Sequence, residues 1–134
     1  MSRYFLDSNI VMYVLGGAHP LKAPSLKIFE KIRTGKMPVC TNTEVLQEIL
    51  YHYYSLNRKP LAHRACELVE EIADPIFPVS IEDIRTARSL LDRHTLPVRD
   101  AIHAASMLNH RIRYILSADS HFDHFPDIRR VFPR

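Results

Sequence analysis

Short apolar segments alternate with amphipathic helical segments along the whole chain, and this alternation limits the fold to very few architectures. The strand-like segments are residues 3–7, "MPVCT", "IFPVS" and "YILSAD", with "RRVFP" as a candidate short fifth strand. The helical segments cover residues 9–15, 25–34, 43–56, 60–73, about 80–94 and 98–110. Strands that alternate with helices predict a parallel sheet of four to five strands that is covered by helices on both faces.

Capping residues mark where several of these helices begin. Ser8 follows the first strand and can cap the helix over residues 9–15, whereas Pro60 suits the first turn of the fourth helix. Ser80 is followed three residues later by Asp83, which is the arrangement of a capping box. These signals support the division of the chain into alternating strands and helices.

The length and composition fit one globular domain, which we assign to residues 1–134. Apolar residues make up 46% of the chain, enough for a core and too many for a disordered protein. No apolar run approaches the roughly 18 to 20 residues that cross a bilayer, and the N-terminus lacks a signal peptide pattern. We therefore expect a soluble cytoplasmic protein with no membrane segment. Cys40 and Cys66 match no metal or redox motif, so we expect reduced core thiols.

The chain is mildly basic, with a net charge of +3 and a pI near 9.0. This charge permits a polyanionic partner without requiring one. Arginine is concentrated in the second half of the chain, where the simplest interpretation is a solvated surface. If these arginines instead contact phosphates, affinity for nucleic acid should fall steeply with salt. The residues concerned are Arg85, Arg88, Arg93, Arg111, Arg113, Arg129, Arg130 and Arg134.

Two acidic residues stand at the ends of strand-like segments. Asp7 ends the first strand within "YFLDSN", and Asp119 stands in the same relation to "YILSAD". In parallel α/β sheets, ligands bind beyond the carboxyl ends of the strands. We therefore expect Asp7 and Asp119 at the same edge of one sheet.

Acids on two helices are further candidates for this site. Asp100 lies in the first turn of its helix at the edge of an apolar stripe, although complementation of the helix dipole also explains an acid there. In the third helix, Glu44 points nearly opposite the apolar stripe and Glu48 lies nearer its edge. We therefore favour Glu48 as the site residue and interpret Glu44 as a solvated first-turn acid.

Other polar residues near the strand ends are candidates with an equally simple structural explanation. Asn9 lies beside Asp7, and Ser117 precedes Asp119 by two residues. Each either orients a ligand at the site or caps a helix or turn. Asp123 lies a turn beyond Asp119 and is either an additional ligand or a turn residue.

A cluster of these carboxylates requires a counter-charge, because like charges in close proximity resist ionisation. Oxygen ligands of this kind suit Mg²⁺ or Mn²⁺. Such an ion can activate water, hold a phosphate and neutralise developing charge during phosphodiester cleavage. The acids therefore favour chemistry on a phosphodiester.

Four segments, "FLDSN", "TEVLQEIL", "LPVRDAIHAA" and "ILSADSHF", together resemble the PIN domain family. Their order and the chain length are similar to those of the small VapC-like toxins of that family, and the resemblance covers essentially all 134 residues. It implies a three-layer α/β/α sandwich with a central, mostly parallel sheet. It also implies a ribonuclease that depends on Mg²⁺ or Mn²⁺.

The resemblance further assigns the site residues. It implies that four acids are catalytic and bind the metal, namely Asp7, Glu48, Asp100 and Asp119. Asn9 and Ser117 match polar positions of the family, although threonine is commoner where Ser117 stands. Asp123 falls just past the last motif, and its role is not assigned by the resemblance.

Partners are implied by the same resemblance. VapC-like proteins act on RNA, usually form homodimers, and are held by a small antitoxin whose C-terminal segment folds into an apolar groove beside the site. Early helices usually line that groove. The residues that either line it or simply pack in the core are Ile10, Met12, Tyr13, Val14, Leu26 and Phe29.

Three other kinds of protein fit the sequence less well. A haloacid-dehalogenase-type phosphatase needs a second Asp where this chain has Asn9, and a response-regulator receiver needs an acidic pair that is not visible. His121 and His124 have no partners at zinc spacing, and His103 is interpreted as a surface residue because it lies away from the apolar stripe. An RNA-processing PIN nuclease outside a toxin pair, and a non-catalytic RNA-binding or assembly module, are the alternatives to a toxin.

Overall fold

The computed structural model describes residues 3–131, in which strands and helices alternate as the sequence predicts. The strands are β1 (Tyr4–Leu6), β2 (Val39–Asn42), β3 (Ala73–Phe77), β4 (Tyr114–Leu116) and β5 (Arg129–Val131). The helices are α1 (Ser8–Leu15), α2 (Lys22–Arg33), α3 (Thr43–Ser55), α4 (Lys59–Ile72), α5 (Ile81–Arg93) and α6 (Val98–Asn109), and a 3-10 helix covers Ser120–His124.

All five strands belong to one parallel sheet, whose order is β3-β2-β1-β4-β5. Tyr4 of β1 pairs with Val39 of β2 on one side and with Tyr114 of β4 on the other. The predicted parallel sheet and the three-layer α/β/α sandwich are therefore confirmed. Because the strands share one direction, the carboxyl ends of β1, β2 and β4 lie side by side at one edge of the sheet.

The central strands are apolar on both faces, as a parallel sheet covered by helices requires. Phe5 and Leu6 of β1, and Ile115 and Leu116 of β4, have no exposed surface. Burial of each such side chain contributes about 1.5–3 kcal/mol. The strands that end at the predicted site are therefore anchored by the best-packed part of the core.

Two elements begin three residues before the predicted segments. The third strand begins at Ala73, which pairs with Val39 of β2. The sequence hides this start, because the Asp and Pro that follow Ala73 are uncommon in strands. Pro75 is tolerated because β3 lies at the edge of the sheet. Helix α2 begins at Lys22, with Pro24 in its first turn, where a missing N–H costs no helical hydrogen bond.

The cap of α1 is also different from the prediction. Asp7, rather than Ser8, is the capping residue, and its side chain accepts a hydrogen bond from the N–H of Ser8. The predicted capping box of Ser80 and Asp83 at the start of α5 is confirmed.

The two cysteines and the C-terminal strand lie largely as predicted. Cys40 is buried and Cys66 is half-buried, and both are free thiols, as predicted. Within residues 3–131, no helix has both the length and the apolar character needed to span a membrane. The fifth strand exists, but Phe132 and Pro133 of the predicted segment "RRVFP" lie outside the described residues, as does Arg134.

Candidate active site

Asp7 lies at the carboxyl end of β1 and is almost completely buried, with 4% of its surface exposed. Its Oδ1 accepts a hydrogen bond from the N–H of Ser8 at 2.8 Å. Its Oδ2 accepts one from Oγ of Ser117 at 2.6 Å and one from Nδ2 of Asn9 at 3.3 Å. Burial raises the pKa of Asp7, against the lowering effects of His103 and of the hydroxyl of Ser117. The site therefore holds a carboxyl that resists ionisation unless a cation is close to it.

Asn9 and Ser117 connect the ends of the adjacent strands β1 and β4. Nδ2 of Asn9 donates to Oγ of Ser117 at 3.2 Å, and Oδ1 of Asn9 accepts from the N–H of Ala118 at 3.2 Å. Oγ of Ser117 also accepts from the N–H of Asp119 at 3.0 Å. These bonds fix the orientation of Asp7 relative to the start of the segment that carries Asp119.

Glu48 reaches the same edge of the sheet from α3, where it meets His103 of α6. Oε1 of Glu48 is 2.5 Å from Nε2 of His103, and Oδ1 of Asp7 is 3.9 Å from the same nitrogen. Nε2 of the imidazole is therefore close to both carboxylates. Burial lowers the pKa of His103, but the hydrogen bond to Glu48 and the charges of Asp7 and Asp100 raise it overall.

The interpretation of His103 as a surface residue is wrong, because its side chain has no exposed surface. Helix α6 is buried over most of its circumference, including the polar Ser106. The face opposite the apolar stripe contacts Asn42 at the end of β2 instead of solvent. An apolar stripe identifies one buried face, but it does not show that the opposite face is exposed.

Asp100 and Asp119 form a second carboxylate pair, which is bridged by His121. Nδ1 of His121 is 2.8 Å from Oδ2 of Asp100 and 2.7 Å from Oδ1 of Asp119. Burial, followed by the neighbouring Asp119, raises the pKa of Asp100 to about 7. Burial also opposes ionisation of Asp119, but the N–H of His121 and its imidazole lower the pKa of Asp119 overall. The hydrogen bond to Asp100 raises the pKa of His121.

The side chains thus form two groups of potential metal ligands, Asp7 with Glu48 and His103, and Asp100 with Asp119 and His121. Within each group, the ligand atoms lie within 4.8 Å of one another. The charge of Asp7 also contributes to the raised pKa of Asp100, so the two groups interact electrostatically. Carboxylate oxygens that repel one another in partial burial fit a small, hard divalent cation.

Glu44 and Asp123 have partners outside these two groups. Glu44 forms an ion pair with Arg99 at 3.6 Å, and only 13% of its side chain is exposed, against 15% for Glu48. The prediction of a solvated Glu44 is therefore wrong, because α6 covers that part of α3. Asp123 instead accepts two hydrogen bonds from the guanidinium of Arg130, both at 2.9 Å.

Three side chains at the site were not identified from the sequence as participants, namely Asn42, His103 and His121. A usable signal existed for His103, which follows Asp100 by three residues and therefore lies on the same helix face. His121 follows Asp119 by two residues in a turn-rich segment, where sequence spacing does not determine the direction in which a side chain points. Asn42 stands where a helix cap is expected and does cap α3. Nothing in the sequence indicates that it also contacts the buried His103.

The protein is thus of the α/β class with an open parallel sheet, and its acidic site lies at the carboxyl ends of the central strands. A family model of the PIN domain matches residues 4–128. The chain belongs to the PIN domain family, and the resemblance of the four sequence segments is thereby confirmed.

Two relatives show how far the sequence similarity extends. Ribonuclease VapC13 of Mycobacterium tuberculosis is 36% identical over 127 residues, which cover 94% of this chain and 97% of that protein. Ribonuclease VapC23 of the same species is 34% identical over 102 residues, 75% of this chain and 80% of that protein.

Solved structures show the same fold at low sequence identity. The M. tuberculosis toxin VapC20, described as cleaving the Sarcin-Ricin loop, has a TM-score of 0.74 at 17% identity, covering 94% of this chain and 98% of that chain. A toxin–antitoxin complex from Klebsiella pneumoniae has a TM-score of 0.72 at 16% identity, with 98% of each chain covered.

Proposed function

We propose that this protein is a metal-dependent ribonuclease and the toxin of a VapBC-type toxin–antitoxin pair. The observation that carries the proposal is the convergence of four acids at one edge of the sheet, in two groups of potential metal ligands. Relatives named as ribonucleases, at 34% and 36% identity, support RNA as the substrate. The acids to which we assign catalysis and metal binding are Asp7, Glu48, Asp100 and Asp119.

Mg²⁺ or Mn²⁺ is the cofactor to which these acids are suited, since carboxylate oxygens are the ligands that such hard ions prefer. When bound, the ion supplies activation of water and neutralisation of charge during phosphodiester cleavage. The contribution of the chain is to hold the acids in place. Ser117 and Asn9 orient Asp7 through hydrogen bonds, and His103 contacts Glu48.

An arginine at the rim of the site is suited to contact the RNA backbone. Arg99 precedes Asp100 in α6 and has 45% of its side chain exposed. Its guanidinium lies 5.3 Å from the ring centroid of Tyr51, and its Nε lies 3.6 Å from Glu44. A guanidinium held at this position can pair with a phosphate that approaches the acids, which otherwise repel it. Arg99 is not among the arginines considered from the sequence; of those, Arg85 pairs with Glu82, and Arg130 pairs with Asp123.

We expect a small antitoxin to bind the protein and inhibit this activity, because toxin–antitoxin complexes share its fold. Burial divides the residues considered as walls of its groove. Ile10 and Phe29 are core residues, with 0% and 6% of their surfaces exposed, so they are not walls. Met12 and Tyr13 are half-buried and line a cavity of about 360 Å³ that begins beside Asn9. A partner segment seated there reaches the rim of the acidic site.

The remaining features of the proposed toxin follow from the same family membership. We propose that residues 1–134 form one domain, that the protein acts in the cytoplasm where RNA is available, and that it assembles as a homodimer. Size measurement by light scattering, with and without the antitoxin, tests the dimer.

The nuclease proposal is tested by cleavage assays on purified protein. Wild type should cleave RNA with Mg²⁺ or Mn²⁺ and stop in EDTA, whereas Asp7→Asn should be inactive with a normal circular dichroism spectrum. Asp123→Asn is the matched control, because it removes an acid that is bonded to Arg130 instead. Full cleavage by a pure Asp7→Asn sample contradicts the assignment.

The toxin proposal is tested in cells. Expression of the chain alone should arrest growth, Asp7→Asn should not, and co-expression of the neighbouring small gene should restore growth. A harmless wild type that cleaves RNA in vitro indicates an RNA-processing nuclease instead. A protein that binds RNA without cleaving it, with any divalent cation, indicates a non-catalytic module.

A further inference from the structure

A buried line of polar side chains runs from α6 through the end of β2 to Glu48. Nδ2 of Asn42 lies 3.0 Å from Oγ of Ser106 and 3.2 Å from Nδ1 of His103. Nε2 of the same imidazole lies 2.5 Å from Oε1 of Glu48. Asn42, His103 and Ser106 have no exposed surface, whereas Glu48 is half-buried at the open end of the line. This arrangement places a rigid support directly behind an acid of the site.

The orientation of the Asn42 amide is fixed by the backbone of α3. Oδ1 of Asn42 accepts the N–H of Val45 at 3.0 Å, as the cap of that helix. An amide oxygen is the group that can accept this hydrogen bond, so the NH₂ group must face the other way. It therefore donates one hydrogen to Ser106 and the other towards His103.

The orientation of the amide in turn determines which nitrogen of His103 carries a proton. Nδ1 faces an N–H donor, so it must present a lone pair. This geometry opposes a second proton on the ring even though the neighbouring carboxylates raise the pKa of His103, and the single proton therefore lies on Nε2. Nε2–H then points at the carboxylate of Glu48, which can only accept. In this form Nε2 has no lone pair for a metal, so His103 supports Glu48 and does not itself serve as a ligand, although its position beside Asp7 and Glu48 would suit one. The ring is completely buried, and Phe5 packs against it with ring centroids 5.5 Å apart, which restricts its rotation. Both hydrogens of the Asn42 amide and the Nε2–H of His103 thus meet an acceptor.

We propose that Asn42 and His103 are positioning residues that hold the Glu48 carboxylate in the orientation needed for RNA cleavage, with Asn42 selecting the Nε2–H form of His103. This inference rests on the proposed ribonuclease function. Partners that orient ligand carboxylates commonly change activity or metal affinity by about tenfold to a hundredfold when removed. The helix cap of α3 and the support for Glu48 are therefore the same side chain.

The first test measures the proton position directly and does not depend on activity. Histidine-selective ¹⁵N labelling distinguishes protonated from unprotonated ring nitrogens, and the signals of His103 are those lost in His103→Gln. The expected result is a protonated Nε2 and an unprotonated Nδ1. A His103 protonated at Nδ1 in the wild-type protein overturns the proposal.

The second test compares replacements of His103 in the cleavage assay. Glutamine can offer an N–H near the position of Nε2, whereas leucine fills the space without a donor. His103→Leu should lose about tenfold to a hundredfold in cleavage rate, and His103→Gln should recover a substantial part of that loss. Equal losses in two folded variants contradict a role for the donor. His110→Gln is the control, because His110 lies at the other end of α6 and stacks on Phe77.

The third test changes Asn42 while keeping its role as a helix cap. Asn42→Asp keeps an oxygen for the N–H of Val45 but replaces both amide donors with an acceptor. Nδ1 of His103 should then become protonated, and cleavage should fall by about tenfold or more. Ser106→Ala is the control for folding, because it removes a bond of similar burial and should leave the ¹⁵N pattern of His103 unchanged. Cleavage by Asn42→Asp within about twofold of wild type overturns the proposal. A wild type that never cleaves RNA refutes the ribonuclease instead, and the ¹⁵N pattern still decides the proton position.

Discussion

Oγ of Ser117 donates a hydrogen bond of 2.6 Å to Oδ2 of Asp7, across the boundary between two neighbouring strands. The residues are 110 positions apart in sequence, yet the parallel register of β1 and β4 places them side by side. The same oxygen of Ser117 accepts from Asn9 and from the N–H of Asp119. One hydroxyl therefore connects three of the polar residues predicted at the site.

Ser117→Ala is expected to lower RNA cleavage by about tenfold, because Asp7 loses the bond that orients it. The pKa of Asp7 should also rise further, since that hydroxyl lowers it. Ser117→Thr keeps the hydroxyl and should retain most of the activity. Steady-state cleavage rates at saturating Mn²⁺ separate the two variants. Equal rates for alanine and threonine exclude the hydroxyl as the important group.

Asp100 is expected to make the stability of the cation-free protein fall as pH rises. Burial is the main reason that its pKa lies at about 7 rather than at 3.8. A carboxyl with a raised pKa in the folded state stabilises the fold while it is protonated. That contribution is complete below about pH 4 and is lost as pH rises through about 7.

The measurement is the melting temperature in EDTA between about pH 5 and pH 7.5, for wild type and for Asp100→Asn. Wild type should lose more stability over this range, because its folded state must release a proton that the unfolded chain has already lost. Mn²⁺ added at the higher pH should restore wild type more than the variant. Parallel curves for the two proteins contradict the electrostatic argument.

Glu48→Gln is expected to damage cleavage much more than Glu44→Gln does. Their side chains are almost equally buried, so burial does not separate them, but their partners do. Glu48 faces His103 and Asp7, whereas Glu44 forms an ion pair with Arg99. We expect a loss of about tenfold or more for Glu48→Gln and a loss below about threefold for Glu44→Gln. A larger loss for Glu44→Gln than for Glu48→Gln shows that the active carboxylate of α3 is one turn earlier.

Asp119→Asn and Asp123→Asn should also differ, although the two acids are four residues apart. Asp119 shares His121 with Asp100, whereas Asp123 is held by the guanidinium of Arg130. The first variant should lose most cleavage at limiting Mn²⁺, and the second should stay close to wild type. Cation titrations of the cleavage rate provide the comparison. A cation requirement that increases equally in both variants places Asp123 in the site.

The sequence predicted where the strand-end acids lie, because Asp7 follows β1 directly and Asp119 lies only three residues beyond β4, which ends at Leu116 and not at Asp119 as the sequence suggests. Asp7 and Asp119 occupy the same edge of the sheet as expected, once the parallel order is known. Asp100 was also correctly expected near a helix start. These residues are fixed by local structure, which short-range patterns describe.

The polar interior of the site could not be predicted in the same way. His103 and Ser106 are polar positions on an amphipathic helix, and such positions usually face solvent. They are buried here because Asn42 at the end of β2 contacts both of them. Asn42 and His103 are 61 residues apart in sequence, so no short-range pattern predicts their contact. The burial of Glu44 has the same kind of cause, a tertiary neighbour that no pattern within α3 reveals.

The order β3-β2-β1-β4-β5 places every strand that ends at the site in the interior of the sheet. Strands with neighbours on both sides usually open only when the whole domain unfolds, whereas edge strands open more readily. Amide hydrogens of Phe5 and Ile115 should therefore exchange with deuterium at the rate of complete unfolding, and those of β5 should exchange earlier. Because the site residues follow strands that open only on complete unfolding, local opening of the sheet should not disturb the geometry of the site.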